Sequence, residues 1–143
     1  MDENEVIIHT DGGARGNPGP AACAFIAEVG GRIVGKESFF LGKSTNNYAE
    51  YQGVLLAMQW IASKSQISNL KSQIVFNLDS ELVVKQLNGT YKVKNQNLRN
   101  LNDEVIGIIK ENNLKIVFKN IPREENMVAD FLVNKKLDEK ANN

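Results

Sequence analysis

Apolar residues along this chain come in short runs separated by glycine, proline or polar clusters, and their period changes from run to run. Val6, Ile7 and Ile8 read as a buried strand that delivers Asp11 into a glycine-rich turn, within VIIHTDGGARGNPGP. Ala21 to Val29 is small and apolar, Gly30-Gly31 turns, and Arg32 to Leu41 continues, so a hairpin joins the first strand in a meander. The small side chains of Ala21, Ala22, Cys23 and Ala24 suggest a strand covered on both faces. Helical spacing then begins: Tyr51, Val54, Leu55, Met58, Ile61 and Ala62 share a face up to about Ser63, with Asn47 and Glu50 spaced as a capping box. Ser65 to Ser72 reads as a polar linker, and Gln73 to Leu78 as a strand that ends, like the first, in a carboxylate, Asp79. A short helix follows from Leu82 to Leu87, stopped by Asn88-Gly89, and an amphipathic one from Asn97 to Asn112. Lys115 to Asn120 is the last strand. Pro122 to Asn126 leads into a final helix with Val128, Ala129, Leu132, Val133 and Leu137 on one side.

Three meandering strands followed by helix, strand, two helices, strand and helix predict an α/β sandwich around one mixed sheet. Right-handed crossovers return the Asp79 strand beside the Asp11 strand. At 143 residues the chain is expected to form one domain, its core at about residues 5–138 with flexible termini. A single cysteine excludes an intramolecular disulfide and any multi-cysteine metal site, and points to a reducing, cytoplasmic setting. No apolar run reaches membrane-spanning length, and the start, MDENE, is acidic rather than a basic leader. Seventeen basic residues cancel seventeen acidic ones, which excludes general basic adhesion to nucleic acid. Between Leu82 and Asn102 the balance is local: no acid, but Lys85, Lys92, Lys94 and Arg99, a solvated face or one that meets phosphates.

The candidate chemistry lies in the carboxylates, each of which also has an ordinary structural reading. Asp11-Gly12 is a common turn signal, Glu50 fits a helix cap, and Asp79 stands where an N-cap belongs. Asp130, one turn into the last helix beside apolar positions, is harder to place as surface decoration. Four carboxylates at one end of a sheet would repel unless a hard cation joined them, and oxygen-only ligands point to Mg²⁺ or Mn²⁺ rather than zinc. Gly42-Lys43-Ser44-Thr45 resembles the tail of a phosphate-binding loop, but Glu37 stands where that motif needs glycine.

Together, TDGGARGNPGP, TNNYAEYQG, LDSELVVKQLNG and PREENMVAD resemble, in order, the motif blocks of a type 1 ribonuclease H, over Val6 to about Leu137. The last block is similar to the compact branch that includes archaeal-type and reverse-transcriptase-like members. The resemblance implies a ribonuclease H-like fold, a five-stranded mixed sheet flanked by helices, and endonucleolytic hydrolysis of RNA in RNA·DNA hybrids, leaving 5′-phosphate and 3′-hydroxyl ends. Asp11, Glu50, Asp79 and Asp130 match the family's catalytic, metal-binding carboxylates, which implies two Mg²⁺ ions with Mn²⁺ as substitute. Glu50 would also lie near the ribose 2′-hydroxyl beside the scissile phosphate. Asn17, Asn46 and Asn47 match positions that read the minor groove, with the bare loop at Gly12 letting backbone reach it. Lys43, Thr45 and Asn95 match a pocket for a DNA phosphate.

Three departures qualify the match. Only TYKVKNQN stands where larger relatives carry a basic protrusion, so affinity for hybrid is expected to be modest and salt-sensitive. Glu81 replaces a neutral residue after the Asp-Ser pair. Arg123 stands where many relatives place a histidine implicated in product release. No separate N-terminal hybrid-binding module is expected at this length, and a monomer is. The competing readings are a non-catalytic nucleic-acid-binding module of the same fold, a nuclease that also cleaves RNA duplexes, and a small phosphatase or transferase acting on free nucleotides.

Overall fold

The computed structural model describes residues 5–64, 67 and 73–142. The chain begins with three antiparallel strands, β1 (Val6–Ala14), β2 (Gly19–Val29) and β3 (Arg32–Ser44). Helix α1 (Asn46–Ser63) leads on to β4 (Ile74–Leu78), and then α2 (Glu81–Leu87) and α3 (Gln96–Glu111) precede β5 (Ile116–Asn120). A 3-10 turn (Arg123–Glu125) opens into α4 (Met127–Ala141). The strands form one mixed sheet in the order β3-β2-β1-β4-β5, with β1 parallel to β4 and β4 parallel to β5. The expected meander, crossovers and mixed sheet are therefore present. The proposed linker at Ser65–Ser72 lies outside the described residues except for Ile67, which is buried.

The first expectation that fails is the glycine-rich turn. Gly12 and Gly13 are not a reversal; β1 runs on through Ala14, paired with β2 out to Ala14↔Ala21, and the chain turns only after it. Glycine is there for closeness. A Cβ at Gly12 would strike the Ala49 carbonyl and the Glu50 amide, and one at Gly53 would stand 2.7 Å from the Asp11 carbonyl oxygen. Backbone of β1 and backbone of α1 touch at these two points, which only glycine permits. A true glycine turn does occur at Gly30-Gly31, both with positive φ, as a tight hairpin with right-handed strand twist requires.

Helix α1 is buried on nearly every side, from Ala49 and Tyr51 through Met58, Trp60 and Ile61, because the sheet covers one face and α3 another. The Trp60 ring lies against Gly35 of β3 and 5.4 Å from Phe25, centroid to centroid. Between the helices the apolar core closes on a polar bridge: Tyr51 donates to Gln86 Oε1 at 2.7 Å, and Asn102 donates to the Tyr51 oxygen at 3.3 Å. A buried hydroxyl with both roles used costs little and locks α1, α2 and α3 in one register.

On the opposite face α4 covers β1, β2 and β3. Its buried stripe is Ala129, Val133 and Leu137, the last two resting on Ala22 and Ala24, so the small residues of β2 are covered on both faces as expected. Val128, expected on that stripe, instead points to solvent with Met127 and Phe131. Residues one helical turn apart suffice to fill the shallow seat that two alanines provide, and Val128 lies to its side.

Replacing Gly12 by alanine should push α1 off β1 and lower the unfolding free energy by about 3 kcal/mol or more, the upper range for overpacking a tight contact. Urea denaturation measures it, and a loss below about 1 kcal/mol would mean that the helix can retreat freely.

Candidate metal centre and nucleic-acid interface

Asp11 is carried by the middle of β1, Asp79 by the residue after β4, and Glu50 by the first turns of α1. β1 and β4 lie side by side up to His9↔Asn77 and part beyond it, so both aspartates stand where the two central strands diverge. The glycine contact lets α1 come close enough for Gly12 N–H to donate to Glu50 Oε1 at 3.3 Å. Oxygen atoms of Asp11, Glu50 and Asp79 consequently fall within 4.8 Å of one another. Asp130, in the first turn of α4, lines the same cleft of about 370 Å³ without joining that triplet. Arg123, Asn46, Asn47 and Gly12 line it as well.

The structural readings of these acids do not hold. The N-cap of α1 is Thr45, whose hydroxyl accepts from Tyr48 N–H at 3.2 Å, so Asn47 and Glu50 form no capping box. Ser80, not Asp79, caps α2. Glu50 is turned inward and 7% exposed, and its Oε2 is buried with no partner among the described residues. A buried carboxylate oxygen without a donor is costly, and two acidic neighbours add to the cost. Oxygen donors alone, one of them unsatisfied, suit a hard divalent cation of the Mg²⁺ class.

A second cleft, of about 680 Å³, lies beside the first and shares Asn47 with it. Asn17, Lys43, Thr45 and Asn95 line it, the residues the motif match assigned to minor groove and phosphate. Thr45 and Asn95 are the N-caps of α1 and α3, so two helix N-termini converge there. Their acceptor oxygens serve the helices, Asn95 Oδ1 taking Leu98 N–H at 3.1 Å, and among the described residues the Thr45 hydroxyl proton and the Asn95 amide have no acceptor. Asn46 and Asn17 are partly committed. Asn46 Oδ1 accepts from Ala14 N–H at 2.9 Å and Asn17 Oδ1 from Asn46 N–H at 3.0 Å, which ties the β1–β2 tip to α1.

Elsewhere the surface charges rearrange the sequence picture. Glu81 is paired with Lys85 at 2.7 Å, which lowers its pKa, and Lys85 also donates to Tyr91 at 3.2 Å. One cation of the basic run is thereby used locally. A second, Arg99, donates its Nε–H to the Val93 carbonyl. His9, on the same strand as Asp11, lines a separate cavity with Glu28, Glu124 and Glu125, and burial pulls its pKa down. Cys23 is buried with its thiol pushed up to about 12, too high for a nucleophile.

Sequence reasoning missed two groups. Asn126 is 1% exposed and donates to the Thr10 carbonyl at 2.8 Å and to Asp79 Oδ2 at 3.1 Å. Arg15, just after β1, pairs with Asp138 of α4 at 2.7 Å and reaches Asn134. Only the spacing of Asn126 four residues before Asp130 hinted at the first, and nothing local at the second.

Burial and then the charges of Asp79 and Asp130 raise the Asp11 pKa to about 6, against a partial relief from Glu50 and Gly12 hydrogen bonds. Glu50 is raised well above the ordinary carboxylate range, chiefly by burial and next by Asp11. A folded pKa above the unfolded one means that the native state holds the extra proton, so stability falls as pH rises from about 4 to about 6. In chelator, Asp11→Asn should therefore exceed the wild type by roughly 2–3 kcal/mol at pH 7, with the gap closing near pH 4. Thermal melts across that range test this; a gap independent of pH would assign the effect to packing instead.

Residues 9–136 match the Reverse transcriptase-like family. A solved ribonuclease H1, LC11-RNase H1 in complex with an RNA/DNA hybrid, is 37% identical, with 95% of this chain and 99% of that one covered and a TM-score of 0.89. The ribonuclease H1 of the archaeon Halobacterium salinarum is 32% identical over 94% of this chain and 98% of that structure, with a TM-score of 0.84. The bifunctional protein Rv2228c of Mycobacterium tuberculosis is 30% identical over 94% of this chain, which spans only 36% of the length of that relative. On fold, motif order and these likenesses, the chain belongs to the type 1 ribonuclease H family, within the Reverse transcriptase-like group.

Proposed function

We propose that the protein hydrolyses the RNA strand of RNA·DNA hybrids as a metal-dependent endoribonuclease, leaving 5′-phosphate and 3′-hydroxyl ends. The observation that carries the reading is the triplet of Asp11, Glu50 and Asp79 with one buried, unpartnered oxygen at the divergence of β1 and β4. It is supported by the solved relative that holds such a hybrid. Asp11, Glu50, Asp79 and Asp130 would hold two Mg²⁺ ions, with Mn²⁺ as substitute. When bound, the ions supply activation of the attacking water and stabilisation of the oxygen leaving phosphorus.

The protein's own groups do the rest. The carboxylate cleft takes the RNA strand, with Gly12, Asn46 and Asn47 along the floor where 2′-hydroxyls pass. Across the shared Asn47, the second cleft takes the DNA strand and seats one phosphate on Lys43, the Thr45 hydroxyl and the Asn95 amide, at two helix N-termini. Two clefts that each suit a different strand explain selection of a hybrid over either pure duplex. Arg123, which lines the first cleft, draws the cleaved phosphate outward through its guanidinium.

Labelled hybrid incubated with Mg²⁺, with and without chelator, tests the activity directly. Asp79→Asn should lower turnover about a thousandfold or more, the equivalent of several kcal/mol of lost charge stabilisation, while hybrid binding holds. Wild-type cleavage rates in Asp79→Asn, or cleavage in chelator, would overturn the reading. The phosphate seat has its own test in Asn95→Asp. That change keeps the cap acceptor, removes the outward donor and adds a negative charge, so KM for hybrid should rise about tenfold or more with kcat and melting temperature nearly unchanged. A fall in kcat with unchanged KM would place Asn95 elsewhere.

A further inference from the structure

Asn126 occupies the N-cap position of α4, where asparagine ordinarily turns its oxygen back onto the helix. Here the side chain makes no such bond. It is almost fully buried, lies behind the cleft rather than in its lining, and puts both amide hydrogens into the sheet. One goes to the Thr10 carbonyl at 2.8 Å and one to Asp79 Oδ2 at 3.1 Å. The β1–β4 ladder ends one residue earlier, at His9↔Asn77, so this amide stands where the next strand partner would be. The backbone carbonyl of Asn126 accepts from Asp130 N–H at 3.2 Å, while its side-chain Oδ1 is buried with no partner among the described residues. A single residue therefore touches the backbone next to Asp11, the carboxylate of Asp79 and the backbone of Asp130.

The amide type is specific to that task. A serine has one hydrogen for two acceptors, an aspartate has none, and an alanine leaves a buried carbonyl bare. Forgoing the helix cap costs about 1 kcal/mol, a sacrifice with no structural return at α4 itself. The bond to Oδ2 of Asp79 also restrains the rotation of that carboxylate, and Oδ1 has no hydrogen bond among the described residues.

We infer that Asn126 is the positioning residue of the carboxylate centre, the amide that holds Asp79 in its ligating orientation and sets the spacing of the Asp11 and Asp79 strands. The inference rests on the proposed metal centre, so its test reads ion binding as well as hydrolysis. Mn²⁺ binding to the intact protein is measured by calorimetry in wild type, Asn126→Ala, Asn126→Ser and Val105→Ala. Val105 is a fully buried residue of α3 in the core against the other sheet face, so its truncation controls for lost stability alone.

Asn126→Ala and Asn126→Ser should bind Mn²⁺ about 10- to 100-fold more weakly and lose kcat in similar proportion, the usual effect of removing a residue that orients a ligand. KM for hybrid should stay within about twofold, because Asn126 faces away from the cleft. Val105→Ala should melt lower yet bind Mn²⁺ like wild type. Mn²⁺ affinity in a folded Asn126 variant within twofold of wild type overturns the inference alone. Absence of binding by wild type overturns the centre and this inference together. Failure of both Asn126 variants to fold also counts against it, since the residue would then serve the fold rather than the site.

Discussion

Asp11 and Glu50 are acids that the fold pushes out of water and toward each other, with Asp79 close by. Left to itself such a group would relax: a helix would slide outward, or a carboxylate would rotate into solvent. The contact of backbone with backbone at Gly12 and Gly53 prevents the first, and the amide of Asn126 opposes the second for Asp79. The cost of keeping them there is thus held in the folded protein, as repulsion or as a retained proton, and a cation held by these oxygens would relieve it. Large core, tight strand-helix contact and the polar bridge at Tyr51 together supply the stability that this arrangement draws down.

Around that centre lie two clefts joined at Asn47, which the proposed function assigns to the two strands of a hybrid. One is acidic and made from strand ends; the other collects helix N-termini and a lysine. Both are built from the same short region, since β3 leads into α1 through Lys43, Ser44 and Thr45. The Asn17–Asn46–Ala14 hydrogen bonds keep the hairpin tip registered against that helix start, so the two clefts hold a fixed separation. With no basic protrusion and with Lys85 tied to Glu81, the proposed hybrid binding would draw mainly on these seats.

Much of this was legible along the chain because it is local. Short apolar runs, the helix of Tyr51 to Ile61, the Gly30-Gly31 reversal and the order of the four motif blocks need only neighbours to be read. The carboxylate list and the oxygen-only donor set followed from residue types at motif positions. What went astray was local reading applied to long-range facts. Asp11-Gly12-Gly13 has the composition of a turn, but β2 pairs with it and α1 presses on it, so it is strand. Asn47 and Glu50 have capping-box spacing, but burial of Glu50 against β1 outweighs a surface cap.

The sequence by itself determined which acids exist, which strands carry them and which helices begin beside them. Only the tertiary structure decided that Glu50 faces inward, that Asp130 stands at the rim of the triplet, and that Thr45 and Asn95 share one cleft across α1 and α3. Asn126 belongs to the second class as well: its partners Thr10 and Asp79 are 116 and 47 residues away. Hydrogen bonds of that span leave no periodicity in the chain, because they form only where packing has already brought distant backbone within 3 Å or so.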